Sequence, residues 1–461
     1  MGISTCRCPH APFSARAFHE AETLFGRRTF LSGALATFAG MTLLGRRAAA
    51  AENVIVLKAA RMFDGTTIHS PGVCVVRDDR IVSLSAGDAG SDARVLDFGD
   101  ATLMPGLIDA HTHVSAGAVT SYYLHVFDTP DQPSGDSVAE AAILSVRNAQ
   151  ALLRNGFTTV RDVGGGNGID LAMRNAIARG FVVGPRILAA GTALSITGGH
   201  GDLNSLPDDV KVERPTGVAY GPYGFREQVR EHIKHHVDVI KILATGGVLS
   251  YGDVWNVPQF NLDEIQAVVD EATKFGRRVS AHAHGDPGIA LAVEGGCHSI
   301  EHGTGVSEKT LHAMAQRGTY LVPTIWALDS ILQPGNPNKI PADSLAKAHA
   351  IGVLRNEGMQ RALAASVKFA YGTDAGVFPH KENNKDFALL ASMGMKPVDL
   401  LRSATSMAAD LLGTTDRGRI AAGNLADIVA FHGDPSTNIS ALESRPALVM
   451  IGGKEIPPDF S

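Results

Sequence analysis

Cysteine is nearly missing from this chain: four in 461 residues. Cys6 and Cys8 stand near the start, and Cys74 and Cys297 lie far apart in sequence and in different predicted domains. No disulfide framework is implied, so the fold must be held by its core. Tryptophan is scarcer still, with only Trp255 and Trp326. Positive charge is not in excess either: 41 Lys and Arg face 47 Asp and Glu, a net charge of −6. That balance disfavours nucleic acid and anionic membranes as partners. What is present is 44% apolar content with 50 Gly and 22 Pro, the composition of a large globular α/β enzyme.

The start of the chain is different in kind. Arg27-Arg28-Thr29-Phe30-Leu31 leads into an apolar stretch to Leu44, then Arg46-Arg47 and Ala48 to Ala51. The apolar part, about 15 residues, is short of the roughly 20 that span a bilayer, so a cleaved twin-arginine export signal is expected over residues 1–51 rather than an anchor. Residues 1–50 carry six Arg and two Glu, a charge of +4, so the mature chain would carry −6 − (+4) = −10. The expected location is the periplasm or the exterior, with no membrane partner after cleavage. Twin-arginine export carries folded, cofactor-loaded proteins, which suits a metal site assembled in the cytoplasm.

Residues 52–104 read as a small β domain of short alternating strands, Val54 to Leu57, Val73 to Val76, Ile81 to Leu84 and Val95 to Phe98. Similar runs return at Ile428 to Phe431 and Ala447 to Ile451, so 52–104 and 414–461 are expected to pair into one β-sandwich. Between them, residues 105–413 alternate apolar runs with amphipathic helices, the pattern of βα units. Eight candidate strands, Leu107–Val114, Phe157–Val163, Arg186–Leu194, Val237–Ala244, Arg278–His284, Ser299–His302, Tyr320–Pro323 and Lys368–Asp374, predict a (β/α)8 TIM-like barrel. Ser137 with Glu140, and Asn261 with Glu264, mark helix starts; Gly156 and Gly276 mark the corresponding ends.

Six chemically active residues fall at or near the C-terminal ends of these candidate strands, where barrel active sites are built. They are His111 and His113 on the first, Lys241 on the fourth, His282 on the fifth, His302 on the sixth and Asp374 on the eighth. His-x-His places both rings on one strand face, so His111 and His113 can hold one ion together. The pair alone is weak, since a chain with 18 His has a second one at His282 and His284. The ordered set carries the argument.

At these residues the chain resembles the two-metal members of the amidohydrolase superfamily: G-L-I-D-A-H-T-H at 106–113, V-I-K-I at 239–242, A-H-A-H-G at 281–285, S-I-E-H-G-T at 299–304 and Y-G-T-D-A-G at 371–376. T-G-G-H-G-D at 197–202 and K-I-L-A-T-G-G-V at 241–248 are similar to its Xaa-Pro dipeptidase and carboxypeptidase-like branch, which the ochratoxin-cleaving amidases also resemble. The resemblance implies two divalent ions, zinc by default, with His111, His113 and Asp374 on one and His282 and His302 on the other. It implies that Lys241 is carboxylated by CO2 and bridges both; the alternative is a packed lysine paired with a buried acid. The nucleophile would be hydroxide held between the ions, with Asp374 passing its proton to the departing amine. Asp374 in its Gly-rich turn also suits a helix N-cap.

Substrate contacts are less defined. The branch implies that His200 touches the substrate carbonyl or carboxylate, against a loop-stabilising role, while His284 suits either a substrate contact or an inner hydrogen bond. Glu301 is expected to point away from the site by strand alternation. Where many relatives have Tyr-Gly, this chain has His235-His236, so the grip on a substrate carboxylate falls to His235, Tyr220 or Tyr223, or the histidines simply end a helix. The long loop 246–259 is expected to cover the mouth, with Trp255 in an apolar wall. Trp326, Tyr122, Tyr123 and His125 are further wall candidates. The function expected is hydrolysis of an amide bond in a dipeptide or N-acyl amino acid. An aromatic N-acyl amino acid of the ochratoxin kind, or a cyclic amide handled by a one-metal imidazolonepropionase-like enzyme, are the alternatives. A homo-oligomer is expected from the resemblance alone, as is a small-molecule substrate.

Overall fold

Eight short strands run parallel in two arcs through the middle of the computed structural model, which describes residues 54–115, 137–204, 217–334 and 340–457. The first arc holds β1 (Leu107–Thr112), β2 (Phe157–Asp162) and β3 (Arg186–Ala189). The second holds β4 (Val239–Leu243), β5 (Arg278–Ala283), β6 (Ser299–His302), β7 (Tyr320–Val322) and β8 (Lys368–Phe369). All eight fall on the candidate strands. The regular ladders leave two seams, each crossed by a single isolated parallel bridge, Thr112 with Ala375 and Leu194 with Ile242. The export signal, Tyr122, Tyr123 and His125 lie outside the described residues. Among the described residues no helix is long and apolar enough to cross a membrane.

Two strands are shorter than expected, for a backbone reason. Gly191 at φ 69° breaks the run after β3, and the chain resumes beside β4, where Leu194 N donates to Lys241 O at 2.8 Å. Beyond β8 the chain leaves β7 and bonds to β1: Ala110 N donates to Tyr371 O and Asp374 N to His111 O, both at 2.8 Å. Gly372 permits this approach, because a Cβ there would lie 2.9 Å from the His111 Cβ and 2.3 Å from Val322. Period-two alternation then sorts the strands: Ile240, Ile242, Val279, Ala281 and Ala283 pack outward in the helix-facing core, while Lys241, His282 and His284 turn toward the interior.

The caps foreseen for two helices are in place. Ser137 Oγ accepts from Glu140 N and Glu140 Oε2 accepts from Ser137 N at the start of Val138–Arg154. Asn261 N likewise donates to Glu264 Oε2 at 2.8 Å before Leu262–Lys274. These bonds satisfy backbone donors that a helix start leaves open.

Described segments before and after the parallel strands meet in a six-stranded sheet, in which Ile428–His432 pairs antiparallel with Ala101–Pro105. A four-stranded sheet built on Val54–Ala59 and Gly72–Arg77 shares one apolar cluster with it, through Leu57, Val76, Leu103, Ile428 and Met450. Val429 and Phe431, on the opposite face, join the cluster of Phe157 and Tyr371. The Ile428–Phe431 run is apolar throughout because both its faces are covered. Tyr371 stacks against both Phe157 and Phe387 at centroid distances of 5.6 and 4.2 Å, and these two meet each other at 6.3 Å. Truncating Phe157 to Ala would cost about 3–5 kcal/mol. Cys74 and Cys297 are both buried and free, in separate clusters.

Candidate metal centre and active site

A cavity of about 310 Å³ opens at the C-terminal strand ends, and its walls contain all six residues singled out by the strand argument, together with His200 and His284. Six non-glycine residues have positive φ among the described residues, and four of them, Asn167, His302, Thr324 and Asp374, line this one cavity. Left-handed backbone is costly for a side chain with a Cβ and collects at functional sites. Here it re-aims side chains. His302, at φ 70°, departs from alternation and enters the cavity although Glu301 also points inward. The expectation that Glu301 faces away is therefore overturned.

Glu301 is fully buried behind the site. Its Oε2 accepts from His111 Nδ1 at 2.8 Å and its Oε1 from Arg161 Nη2 at 2.8 Å and Ser299 Oγ at 2.5 Å. Burial alone would raise its carboxyl, but the Arg161 guanidinium and His111 outweigh this and hold it down at about 2. His113 Nδ1 donates to Gly164 O at 3.1 Å. With Nδ1–H committed on both rings, Nε2 of His111 and of His113 is the face turned to Asp374 Oδ1, at 3.3 and 3.0 Å. Two lone pairs against an anionic oxygen repel unless a proton or a cation sits among them. Burial opposes a proton on His113 but Asp374 raises its basicity, so a proton can fill the gap; a metal ion can fill it equally, and a carboxylate behind a histidine is a common way to aim a ligand.

A second set faces it. Donor atoms of His282, His284 and His302 lie within 4.8 Å of one another, as do those of His111, His113 and Asp374. His284 Nδ1 is held by Thr304 Oγ1 at 2.8 Å and His302 Nδ1 by Thr324 Oγ1 at 2.6 Å. His282 is reversed: its Nε2 donates to Gly246 O at 3.3 Å, leaving Nδ1 for the cavity. Burial lowers all three below the usual imidazole range, His284 to about 3, so the rings are neutral and able to coordinate. His284 thus stands among candidate ligands, a role the sequence reading did not give it.

Lys241 is buried and lines the cavity, and its charge acts on His113, His282 and His302. Burial pushes its amine down to about 8, against the opposing pull of Glu301 and Asp374. Asp374 is held well below the usual carboxylate range: burial would raise it, but His111 and His113 win. Asp109, one strand period before His111, is also buried and is pushed up to about 7 by that burial. It accepts from His111 N, Thr373 N, Thr373 Oγ1 and Asn383 Nδ2, and so ties the β1 tip to the segment that carries Asp374.

His200 stacks on His282 with centroids 4.5 Å apart. Its Nδ1 contacts Ser250 Oγ at 2.7 Å, and Ser250 Oγ donates to Asp253 Oδ1 at 2.5 Å. Val248 and Leu249 of the same loop line the cavity, while Trp255, expected in its wall, does not line it and packs half-buried against the cluster of Val248, Leu328 and Ile351. Trp326 is core, with its Nε1 donating to Glu382 Oε2 at 3.2 Å. The three candidates for gripping a carboxylate do not line the cavity. His235 caps the C-terminus of Gly221–Lys234 and is exposed; that turn leads into the N-terminal end of β4, the opposite end from the site. Tyr220 and Tyr223 are 72% and 88% exposed at the start of the same helix. Sequence reasoning passed over Arg355, which does line the cavity, and Asp109.

The sequence profile described as the amidohydrolase family matches residues 102–456. The chain belongs to the amidohydrolase family. It is a hydrolytic enzyme acting on amide bonds, and it falls near two kinds of relative. Ochratoxinase of Aspergillus niger is 30% identical over 426 residues, covering 87% of this chain and 86% of that protein. A crystal structure of a Xaa-Pro dipeptidase with bound methionine in its active site is 34% identical, covers 88% of this chain and 100% of that one, and superposes with a TM-score of 0.80. A prolidase complexed with N-methylphosphonate-L-proline is 33% identical, covers 88% of this chain and 99% of that one, with a TM-score of 0.79.

Proposed function

We propose that this amidohydrolase cleaves the amide bond of a dipeptide or N-acyl amino acid, releasing the C-terminal amino acid, at a centre of two divalent ions, zinc by default. The observation that carries the reading is the pair of imidazole Nε2 atoms turned on Asp374 Oδ1, opposite a second trio of neutral histidines with buried Lys241 acting on both. His111, His113 and Asp374 would hold one ion, His282 and His302 the other, with Lys241 as a CO2-derived carbamate between them. A buried amine with lowered basicity reacts with CO2 more readily, and the carbamate replaces a repelling cation with an anion that has two oxygens. When bound, the ions would lower the pKa of a water toward neutrality and polarise the scissile carbonyl.

The chain's own groups do the rest. Asp374 takes the proton released as water attacks and returns it to the leaving amine nitrogen. His200, fixed by Ser250, orients the carbonyl of the substrate. The methionine and the proline analogue in the two related structures are of the chemical kind this reading requires, a free amino acid and an N-substituted one. An aromatic acyl group, as in ochratoxin, is the variant that the likeness to ochratoxinase favours. The test is turnover by zinc-loaded protein of N-acyl-proline, N-acyl-phenylalanine and N-acyl-arginine; hydrolysis of none would reject the reading. A one-metal cyclic amidohydrolase is the competitor, and it predicts that Lys241→Ala changes little.

Three further expectations complete the proposal. The two arcs form a (β/α)8 barrel over 105–413 beside a sandwich of 52–104 and 414–461, which a crystal structure would check. The chain leaves the cytoplasm by the twin-arginine route, losing residues 1–51 to give a periplasmic or secreted enzyme, which N-terminal sequencing of the exported protein reads directly. It assembles as a homo-oligomer, which light scattering measures.

A further inference from the structure

Arg355 is the feature of the cavity that the reading above leaves unused. It rises from the helix Ala342–Ala364 one turn beyond Ile351, and both side chains line the cavity. Apart from Lys241 and the histidines it is the one basic group among the described lining residues, and Asp374 is the one acidic group. The guanidinium is aimed by its neighbours: Nη1 donates to Asp329 Oδ1 at 2.6 Å and to Ile325 O at 3.1 Å, and Nε and Nη2 donate to Asn356 Oδ1 at 3.2 and 3.1 Å. Of its five N–H groups these bonds occupy four, which leaves one on Nη2. Asp329 is 30% exposed, so water screens its charge while it orients the fork. Leu328, Ile331 and Ile351, with Val248 and Leu249 from the loop 246–259, pack in one aliphatic cluster and line the same cavity, whereas Asp329, the carboxylate beside the guanidinium, is paired with Arg355 and is not among the described lining residues.

Resting on the amide-hydrolysis reading, we propose that Arg355 receives the α-carboxylate of the leaving amino acid and that this aliphatic surface receives its side chain. The preferred substrates are then N-acyl amino acids or dipeptides whose C-terminal residue is apolar. A basic C-terminal side chain finds no free counter-charge on this surface, since Asp329 is already paired with Arg355, and is disfavoured.

The test compares kcat/KM on N-benzoyl-leucine, N-benzoyl-leucinamide and N-benzoyl-arginine for the zinc-loaded wild type and Arg355→Gln. A charge-assisted hydrogen bond to the carboxylate makes the wild-type acid-to-amide ratio about tenfold to hundredfold, and Arg355→Gln brings it near one. Arg355→Lys, which keeps a point charge without the fork, falls between and serves if the Gln variant does not fold. A purely structural arginine would lower acid and amide together and leave their ratio intact, which would overturn the proposal. So would a wild type that cleaves acid and amide alike, or one that prefers the arginine substrate. A wild type that cleaves none of the three defeats the amide-hydrolysis reading instead, which keeps the two failures apart.

Discussion

Replacing Glu301 by Gln separates what holds the site from what holds the fold. Glu301 and Arg161 are 0% and 2% exposed and meet at 2.8 Å, so neutralising Glu301 strands a buried guanidinium. Breaking one side of such a pair costs about 3–5 kcal/mol, and Gln, which still accepts one bond from Arg161, places the cost near 3. Against a total stability of roughly 5–15 kcal/mol that is a large fraction. The same change removes the carboxylate that aims His111 Nε2, and loss of such a partner lowers metal affinity about 10–100-fold. Urea unfolding of the metal-free protein reads the first effect, and competition for zinc with a chromophoric chelator reads the second. The double variant Glu301→Gln, Arg161→Met removes the stranded cation, so stability recovers while metal affinity does not. Acid provides a further check. Glu301 is held at about 2 against an ordinary 4.5, so its contribution is complete above pH 4.5 and is lost as pH falls toward 2. The stability gap between wild type and Glu301→Gln should therefore close over that interval. A single variant equal to wild type in both assays, or a double variant that regains zinc affinity, would refute the argument.

Other consequences can be measured as directly. Lys241→Ala should remove most of the bound metal and of the amide hydrolysis, with metal analysis and turnover falling together; retention of both would favour the one-metal competitor. Gly247→Ala places a Cβ 2.0–2.4 Å from the His200 ring, so turnover should fall at least about tenfold while zinc stoichiometry holds. An unchanged rate would remove His200 from the mechanism. Cys74 and Cys297 are buried with thiols pushed up to about 12, so thiol reagents should label neither in the folded enzyme and both after denaturation.

That these six residues meet was legible because strand alternation and strand-end placement act on sequence alone: His111, His113, Lys241, His282, His302 and Asp374 all reach one cavity. Asp109 obeys the same period of two from His111 and needed only that rule. Glu301 was misjudged because alternation fails at a residue in left-handed backbone, and nothing in S-I-E-H-G-T announces the φ of 70° at His302. His235 was misplaced because a helix end was treated as near the site when it lies at the other end of its strand. Arg355 left no local signal at all. It enters the cavity through the packing of the helix Ala342–Ala364 on Ile325–Leu332, a tertiary contact between segments without a motif.

The claim on which the chemistry depends is that Lys241 carries a carbamate between two ions. Carbon-13 NMR of the zinc-loaded protein in labelled bicarbonate tests it most directly. The account predicts one carbamate carbon per chain, absent from Lys241→Ala and lost when zinc is removed. A wild-type spectrum with full zinc occupancy and no carbamate signal would contradict it.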